Sequence, residues 1–468
     1  MAHMNLTRYE YRLRSSAVSS PERARFQAKS LREGWDATSI DFKLLAFLLA
    51  LALLLGAGGV PGPILEGLTI VGSLVLAGVA IHSANALSVK PALPLVLLVV
   101  SVSMLALLQL IPLPFSWWST LPFRSTGAWV MNRFGDEPAW PLSISPQSTL
   151  WSFLSLGPPL LAFFLAFALS RGERIASLRV IVGLALLSGV LAGMQALFGE
   201  RFYIHVRSIT AGPSGLFANQ NTQADFMIVA IAASLVLLSE RRGEAGRIAA
   251  LLALILFFVV CTVLTGSRMG TALLTLPLIM GMALFWKRRA SVRQSLSIVR
   301  GAALALLAGG YAVLSSRVGQ TVSDRFMNMA DGRITDIWPD ASHLAWEAFP
   351  YGTGLGTFIH SFEMAERLEV VDTTRANRAH SDWLEFIIEG GAPAMLILAC
   401  LLAMLCLSIW RKLRSGLEPV DNFSFVVIAL VAIHSLVDYP LRAIAMAVIA
   451  AIALAWAFSD GTQSAIDG

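Results

Sequence analysis

Twelve apolar runs dominate this 468-residue sequence, and each is close to the length of a membrane-crossing helix. They lie near residues 43–60, 65–86, 91–112, 149–169, 176–198, 222–239, 248–266, 268–286, 298–314, 391–410, 422–437 and 440–458. Crossing a bilayer takes about 20 mostly apolar residues in helical form. Backbone exposed to lipid must satisfy its hydrogen bonds internally, and the alternation expected of barrel strands is absent, so the runs are read as helices. Composition agrees: 56% of the residues are hydrophobic and 14% charged, against roughly 45–50% and 25% in a soluble domain. That balance excludes a cytosolic enzyme, a disordered chain, a collagen and a disulfide scaffold. The expected fold class is an all-α integral membrane protein of about twelve transmembrane helices.

The net charge is +5. In a membrane protein such an excess reflects cytoplasmic Lys and Arg, so no nucleic-acid partner is expected. Residues 1–41 form a basic leading segment, with Arg8, Arg12, Arg14, Arg23, Arg25, Lys29 and Arg32. Met1 to Met4 resembles a cloning scar, and no small-residue cleavage site follows the first run. Every second connection is basic: Lys90; Arg171 and Arg174; Arg241, Arg242 and Arg247; Lys287, Arg288, Arg289 and Arg293; Arg411, Lys412 and Arg414. Both termini are therefore expected in the cytoplasm. Residues 42–468 then make one transmembrane domain with three sizeable loops on the far side, 113–148, 199–221 and 315–390. The third is too long for a plain connector and marks the expected working face. Cys261, Cys400 and Cys406 all sit in apolar runs and read as small hydrophobes.

Polar groups at membrane depth are costly and tend to be functional. Three stretches stand out: Phe217 to Asp225, Thr265 to Gly270, and Arg378 to Glu385 leading through Glu389 into the tenth run. Arg268 reads either as an interfacial anchor or as an anion-binding group. The positive-inside rule disfavours an anchor on that side, and the flanking glycines leave room for a ligand. Arg333 in isolation reads as a solvated loop charge. Gly352, Gly354 and Gly356 have neither the lysine nor the strand–helix context of a phosphate loop, and read as a tight turn packed under a site. His380 can exchange a proton near neutral pH, although a lone histidine at a helix start is more often structural. If the segment is helical from His380, then Trp383, Leu384 and Ile387 share its face and Glu389 does not; Arg378 and Asp382 are spaced to pair. Asn219 and Asn221 read equally as helix caps or as sugar or phosphate ligands. Trp338 and Trp383 can stack on a sugar or simply pack. No zinc spacing is present and Asp136-Glu137 is a weak metal pair, so the expected chemistry uses neither metal nor cofactor.

In this order the motifs resemble the O-antigen ligase and polysaccharide polymerase superfamily of bacterial inner membranes. The resemblance runs from about 105 to 410. It includes Gln109 to Pro114 followed by Trp117-Trp118; Phe217-Ala218-Asn219-Gln220-Asn221, similar to a Phe-x-Asn-x-Asn element; and Ser267-Arg268-Met269-Gly270, similar to Ser-Arg-x-Gly. Arg333 with Trp338, then Gly352 to Phe358, resembles the stretch ahead of the family histidine. His380 to Gly391 resembles a His-Asn-x-x-Leu-x-x-x-x-Glu-x-Gly signature, with Ser381 in place of the asparagine. The resemblance implies a lipid-dependent glycosyltransferase-type bundle with a large helical periplasmic loop. It implies transfer of a glycan from an undecaprenyl-pyrophosphate carrier to an acceptor at the periplasmic face. The acceptor is lipid A–core in a ligase, or another lipid-linked repeat unit in a polymerase, with the ligase reading preferred. It assigns catalytic roles to Arg268, Arg333 and His380, with Asn219, Asn221, Trp338, Trp383 and Glu389 as candidate substrate contacts. Two arginines on a pyrophosphate would replace a divalent cation, and in-line attack would invert the anomeric centre. A lipid-linked sugar transporter or flippase is the rival from another class. Such proteins tend to show internal repeats and broken helices near the midplane, and neither is evident here.

Overall fold

Every expected apolar run but one is helical in the computed structural model. It describes residues 35–58, 62–83, 87, 91–134, 139–205, 212–240, 245–285, 333–371 and 376–459. The run expected at 298–314 lies outside the described residues, as do Asp136 and Glu137.

The chain opens with α1 (Ile40–Leu55), α2 (Gly62–His82) and α3 (Leu93–Gln109). Strand β1 (Pro112–Pro114) pairs antiparallel with β2 (Ala139–Pro141), a ribbon enclosing α4 (Phe115–Trp118) and α5 (Ser125–Phe134). The two-stranded ribbon is an addition to the expected all-helical plan. Then come α6 (Pro146–Ser155), α7 (Gly157–Phe167), α8 (Arg171–Phe198), α9 (Gln220–Ser239), α10 (Ala245–Leu264), α11 (Arg268–Leu273) and α12 (Thr275–Phe285). The remainder holds α13 (Trp338–Glu347), α14 (Phe358–Ala365), α15 (Asp382–Ser415), α16 (Pro419–His434) and α17 (Ile444–Phe458). Among the described residues, seven segments are long and apolar enough to cross a membrane: α2, α6 with α7, α8, α9, α10, α11 with α12, and α15. Helices α3, α16 and α17 are apolar but shorter. The protein is a helical, multi-pass membrane protein.

Helix ends follow local chemistry. Ser39 caps α1 by accepting from the Phe42 amide at 3.2 Å. Ser170 and Glu173 form a reciprocal capping box at the start of α8. Pro94, Pro146 and Pro419 sit in first turns, where a missing N–H costs nothing. Helix α9 is the hub, buried on nearly all faces between α8, α10 and α16. A helix that is apolar all round belongs in such an interior. Elsewhere in the bundle α7 and α17 pack closely on each other, with the Trp456 indole N–H donating to the Ala166 carbonyl at 3.1 Å.

The connections sort to two ends. At one end, the Glu173 carboxylate accepts from the Ser39 amide at 2.7 Å, and Arg171 pairs with Glu240 at 2.9 Å and Glu418 at 3.5 Å. The start of α1, the α7–α8 turn, the end of α9 and the α15–α16 turn therefore lie together, and they coincide with the alternate basic connections of the sequence. At the other end, the Ala445 amide donates to the Gly56 carbonyl at 3.1 Å and the Ala218 amide to the Ala57 carbonyl at 3.4 Å. The unusual polar stretches gather at this second end.

Candidate active site

His380 does not start a helix. Helix α15 begins at Asp382, and its cap is Ser381, whose hydroxyl accepts from the Leu384 amide at 3.3 Å and donates to the Ser435 carbonyl at 3.1 Å. The shared helical face expected for His380, Trp383, Leu384 and Ile387 is therefore not formed. His380 instead sits in a left-handed conformation, φ +50°. Such a conformation is uncommon for a residue with a side chain and persists only where the surroundings fix it. The surroundings here are the capped helix on one side and the Trp338 indole on the other, which donates to the Ala379 carbonyl at 3.0 Å.

The turn aims the imidazole at Asp438. The His380 Nδ1 atom lies 3.7 Å from the Asp438 Oδ1 atom, and within the described residues neither atom has a hydrogen-bond partner. Two complementary buried atoms thus face each other slightly beyond hydrogen-bonding distance. Burial alone would raise the Asp438 carboxyl. The contacts with His380 and His434 and the Asn221 amide outweigh that and hold it below the usual carboxylate range. Tyr439 packs on the His380 ring, with centroids 5.1 Å apart, and burial pushes its hydroxyl up to about 12, so it stays protonated.

The start of α9 supplies the far side of Asp438. Asn219 is the N-cap, its side chain accepting from the Asn221 amide at 2.8 Å. Asn221 donates from its own side chain to Asp438 Oδ2. One turn on, Asp225 accepts from His434 Nδ1 at 2.6 Å, and His434 Nε2 faces Asp438 Oδ2 at 3.9 Å.

Arg268 begins α11, whose cap Ser267 accepts from the Gly270 amide at 3.1 Å. Its side chain is exposed. Helix α11 packs on both α9 and α16. The motif glycine explains how: a Cβ on Gly270 would lie 2.6 Å from the Cβ of Ala224, the residue before Asp225. The turn bearing Arg268 thus abuts the same first turns of α9 that hold Asp438.

Arg333 opens a π-helical turn, Arg333–Ile337, that leads into α13 and Trp338. Its side chain lies outside the described residues. Trp383 is fixed by its indole N–H, which donates to the Ala432 carbonyl at 2.9 Å and ties α15 to α16. Glu389 is buried, accepts from the Phe358 amide at 3.1 Å and faces Arg442 at 3.3 Å. Arg442 also pairs with Glu385 at 2.7 Å and approaches Asp382 at 3.8 Å. Arg378 pairs with Glu385 at 2.9 Å, not with Asp382 as its spacing suggested. The glycine run is a turn docked against α15 where that helix kinks at Gly391. The Gly354 amide donates to the Glu389 carbonyl at 2.9 Å, and a Cβ on Gly352 or on Gly391 would collide with the facing backbone.

The profile of the O-antigen ligase family matches residues 251–399, a stretch that begins in α10 and takes in Arg268, Arg333 and His380. Over that stretch the chain is similar to the O-antigen ligase domain, which supports a place in the ligase and polymerase superfamily. Among curated proteins, none matches the chain by sequence. Two residues of the polar cluster around His380, Asp438 and His434, lie beyond the matched stretch and escape the sequence reading. A signal for one existed: His434 is an ionisable group inside an apolar run, which by itself marks a functional candidate. Asp438 carries no such mark, because it falls between two runs.

Proposed function

We propose that this protein transfers a glycan from an undecaprenyl-pyrophosphate carrier to an acceptor hydroxyl at the periplasmic face of the bacterial inner membrane, both termini lying in the cytoplasm. The observation that carries the reading is the His380–Asp438 pair, in which His380 sits in a strained turn inside the stretch similar to the O-antigen ligase family and Asp438 meets it from beyond that stretch. With Nδ1–H directed at Asp438, the tautomer is fixed and Nε2 is left as the proton acceptor. The acceptor oxygen attacks the anomeric carbon as its proton moves to Nε2. The bond from that carbon to the phosphate oxygen breaks, and its electron pair leaves with the lipid pyrophosphate. Attack opposite the leaving group inverts the anomeric configuration. Asp438 stabilises the imidazolium that forms.

Arg268 and Arg333 hold the pyrophosphate. Guanidinium groups suit it because they bind two oxygens at once and keep their charge. They also offset the charge that grows on the leaving oxygen, the part a divalent cation plays elsewhere. Asn219, Asn221, Trp338, Trp383 and Glu389 shape the berth, through the contacts each makes to the elements around His380. The acceptor is lipid A–core, which makes the protein an O-antigen ligase; a polymerase would use the same donor chemistry with a lipid-linked repeat unit as acceptor.

The test is turnover by purified protein supplied with lipid-linked glycan and, separately, each acceptor. Release of undecaprenyl pyrophosphate with a new glycosidic product is expected with lipid A–core. Arg268→Ala and Arg333→Ala should abolish it, and His380→Ala should lower it by about 10²–10⁴-fold, the usual range for general-base catalysis. Near-normal rates in any of the three variants, or movement of lipid-linked sugar without bond cleavage, would refute the proposal.

A further inference from the structure

His434 is buried almost completely, and a carboxylate oxygen faces each of its ring nitrogens: Asp225 Oδ1 lies 2.6 Å from Nδ1, and Asp438 Oδ2 lies 3.9 Å from Nε2. A neutral imidazole has one N–H and one lone pair. Set between two carboxylates, it would turn that lone pair towards a negative oxygen. Between two ionised carboxylates, only the doubly protonated ring presents a donor to each side. We propose that His434 is an imidazolium held between Asp225 and Asp438, and that this buried cation sets how tightly His380 holds a proton.

The inference rests on the role given to His380 above. Asp225 and Asp438 with a protonated His434 carry a net charge of minus one. When His380 takes the acceptor's proton, the four groups become neutral together. Without the His434 cation, Asp438 would present its charge to His380 undiluted, and His380 would stay protonated and idle at higher pH. His434 is thus a positioning and tuning residue, since it acts through Asp438.

The charged surroundings support this assignment. From α9 come Asp225 and the neutral Asn221 and Gln223. From α15, Asp382 accepts from the hydroxyl of Ser435, the residue after His434, at 3.0 Å, and is itself approached by Arg442. Glu385 and Glu389 lie on the far side of Arg442, with Arg378 beyond. From α11 comes Arg268 at its first position. Helices α12 and α17, which also pack on α16, bring no charged side chain.

The test needs no substrate. Diethyl pyrocarbonate acylates unprotonated imidazole, so the rate of His380 modification against pH, mapped by mass spectrometry on full-length protein, reports when that ring loses its proton. In His434→Gln the midpoint should move to higher pH by about one unit, the size expected for losing one charge at this range. Ionised or protonated, Asp225 leaves the sign the same, because the cation facing the second oxygen of Asp438 has gone. The Asp225→Asn with His434→Gln double variant keeps an amide pair in place of the ion pair and should move the midpoint the same way. A midpoint that stays put or falls in the folded variants would overturn the inference. Nitrogen NMR of the wild-type protein with labelled histidine gives an independent reading. One imidazole should keep both nitrogens protonated above neutral pH, and loss of every doubly protonated ring by mildly alkaline pH would also overturn it. If His380→Ala retains turnover, the catalytic reading fails while the coupling is still measured. If His380→Ala is inactive and the midpoint does not move, only the role of His434 fails.

Discussion

Replacing Asp438 by asparagine removes one charge and almost no volume. In the wild-type protein the carboxylate stays ionised at working pH, because its contacts hold it below the usual carboxylate range. At the observed 3.7 Å, with an effective dielectric near 20, a protonated His380 and Asp438 attract by roughly 4.5 kcal/mol. About a quarter of the His380 side chain, 27%, reaches solvent, so screening reduces this. Retaining half leaves about 2.2 kcal/mol, or roughly 40-fold in rate. Tautomer adds to the loss. Asn221 donates to the inner oxygen of residue 438, so an asparagine there turns its carbonyl inwards and its NH2 towards His380. Nδ1 then becomes the acceptor and Nε2 carries the proton, which is the wrong state for a base. Together these set an expected loss of about 10²–10⁴-fold in turnover, with little change in the apparent affinity for the lipid donor. The assay is release of undecaprenyl pyrophosphate by purified protein, alongside a thermal unfolding measurement to show that the variant is folded. A folded Asp438→Asn enzyme within about fivefold of wild type would refute the idea that this carboxylate supports His380.

Gly270→Ala places a methyl group 2.6 Å from the Ala224 Cβ and 3.0 Å from Ser267 Oγ. Helix α11 must then move off α9, at a cost of about 1–3 kcal/mol, and Arg268 moves with it. Turnover should fall more than the unfolding temperature does, whereas Gly281→Ala, where a Cβ meets only Leu235 at 3.7 Å, should leave both unchanged. Transfer should also survive EDTA at full rate, since the proposal gives a cation's work to guanidinium groups; chelator-sensitive turnover restored by a divalent metal would reopen the choice.

Much of the scaffold was legible because lipid makes the alphabet coarse. A run of apolar residues can only be a helix there, and the basic connections predicted which helix ends gather together. The Arg171 pairs with Glu240 and Glu418 show that gathering directly. Local contacts were less legible. Arg378 and Asp382 look like a helical pair in sequence, but the helix starts only at Asp382, so the spacing rule does not apply before it. His380 was marked by its chemistry and its left-handed backbone was not, since nothing in the residue type dictates a positive φ. Its partner Asp438 is 58 residues away, in a short turn between two helices. Pairing over such a separation depends on how α9, α15 and α16 pack, and no periodicity encodes it.

The candidate site rests on two buried polar clusters to which the proposal gives different tasks. Asp382, Glu385 and Glu389 converge on Arg442, with Arg378 beside them. Placing such ions in a low-dielectric interior costs several kcal/mol each unless opposite charges are matched to them, and here three carboxylates of α15 are matched by two guanidinium groups, Arg442 from the turn before α17 and Arg378 from the segment before α15. That matching fixes the first turns of α15 against the end of the bundle, and with them the residue that precedes Ser381. The second cluster, Asp225, His434 and Asp438, touches the imidazole itself. Ser435 joins the two: its hydroxyl donates to Asp382 and its carbonyl accepts from Ser381. Breaking the first cluster should therefore displace His380 and lower stability and turnover together. Neutralising the second should change the pH at which the enzyme works while the fold persists. A site that needed only a correctly placed base would have no use for the second cluster, so that separable pH effect is the measurement on which the two-cluster reading stands.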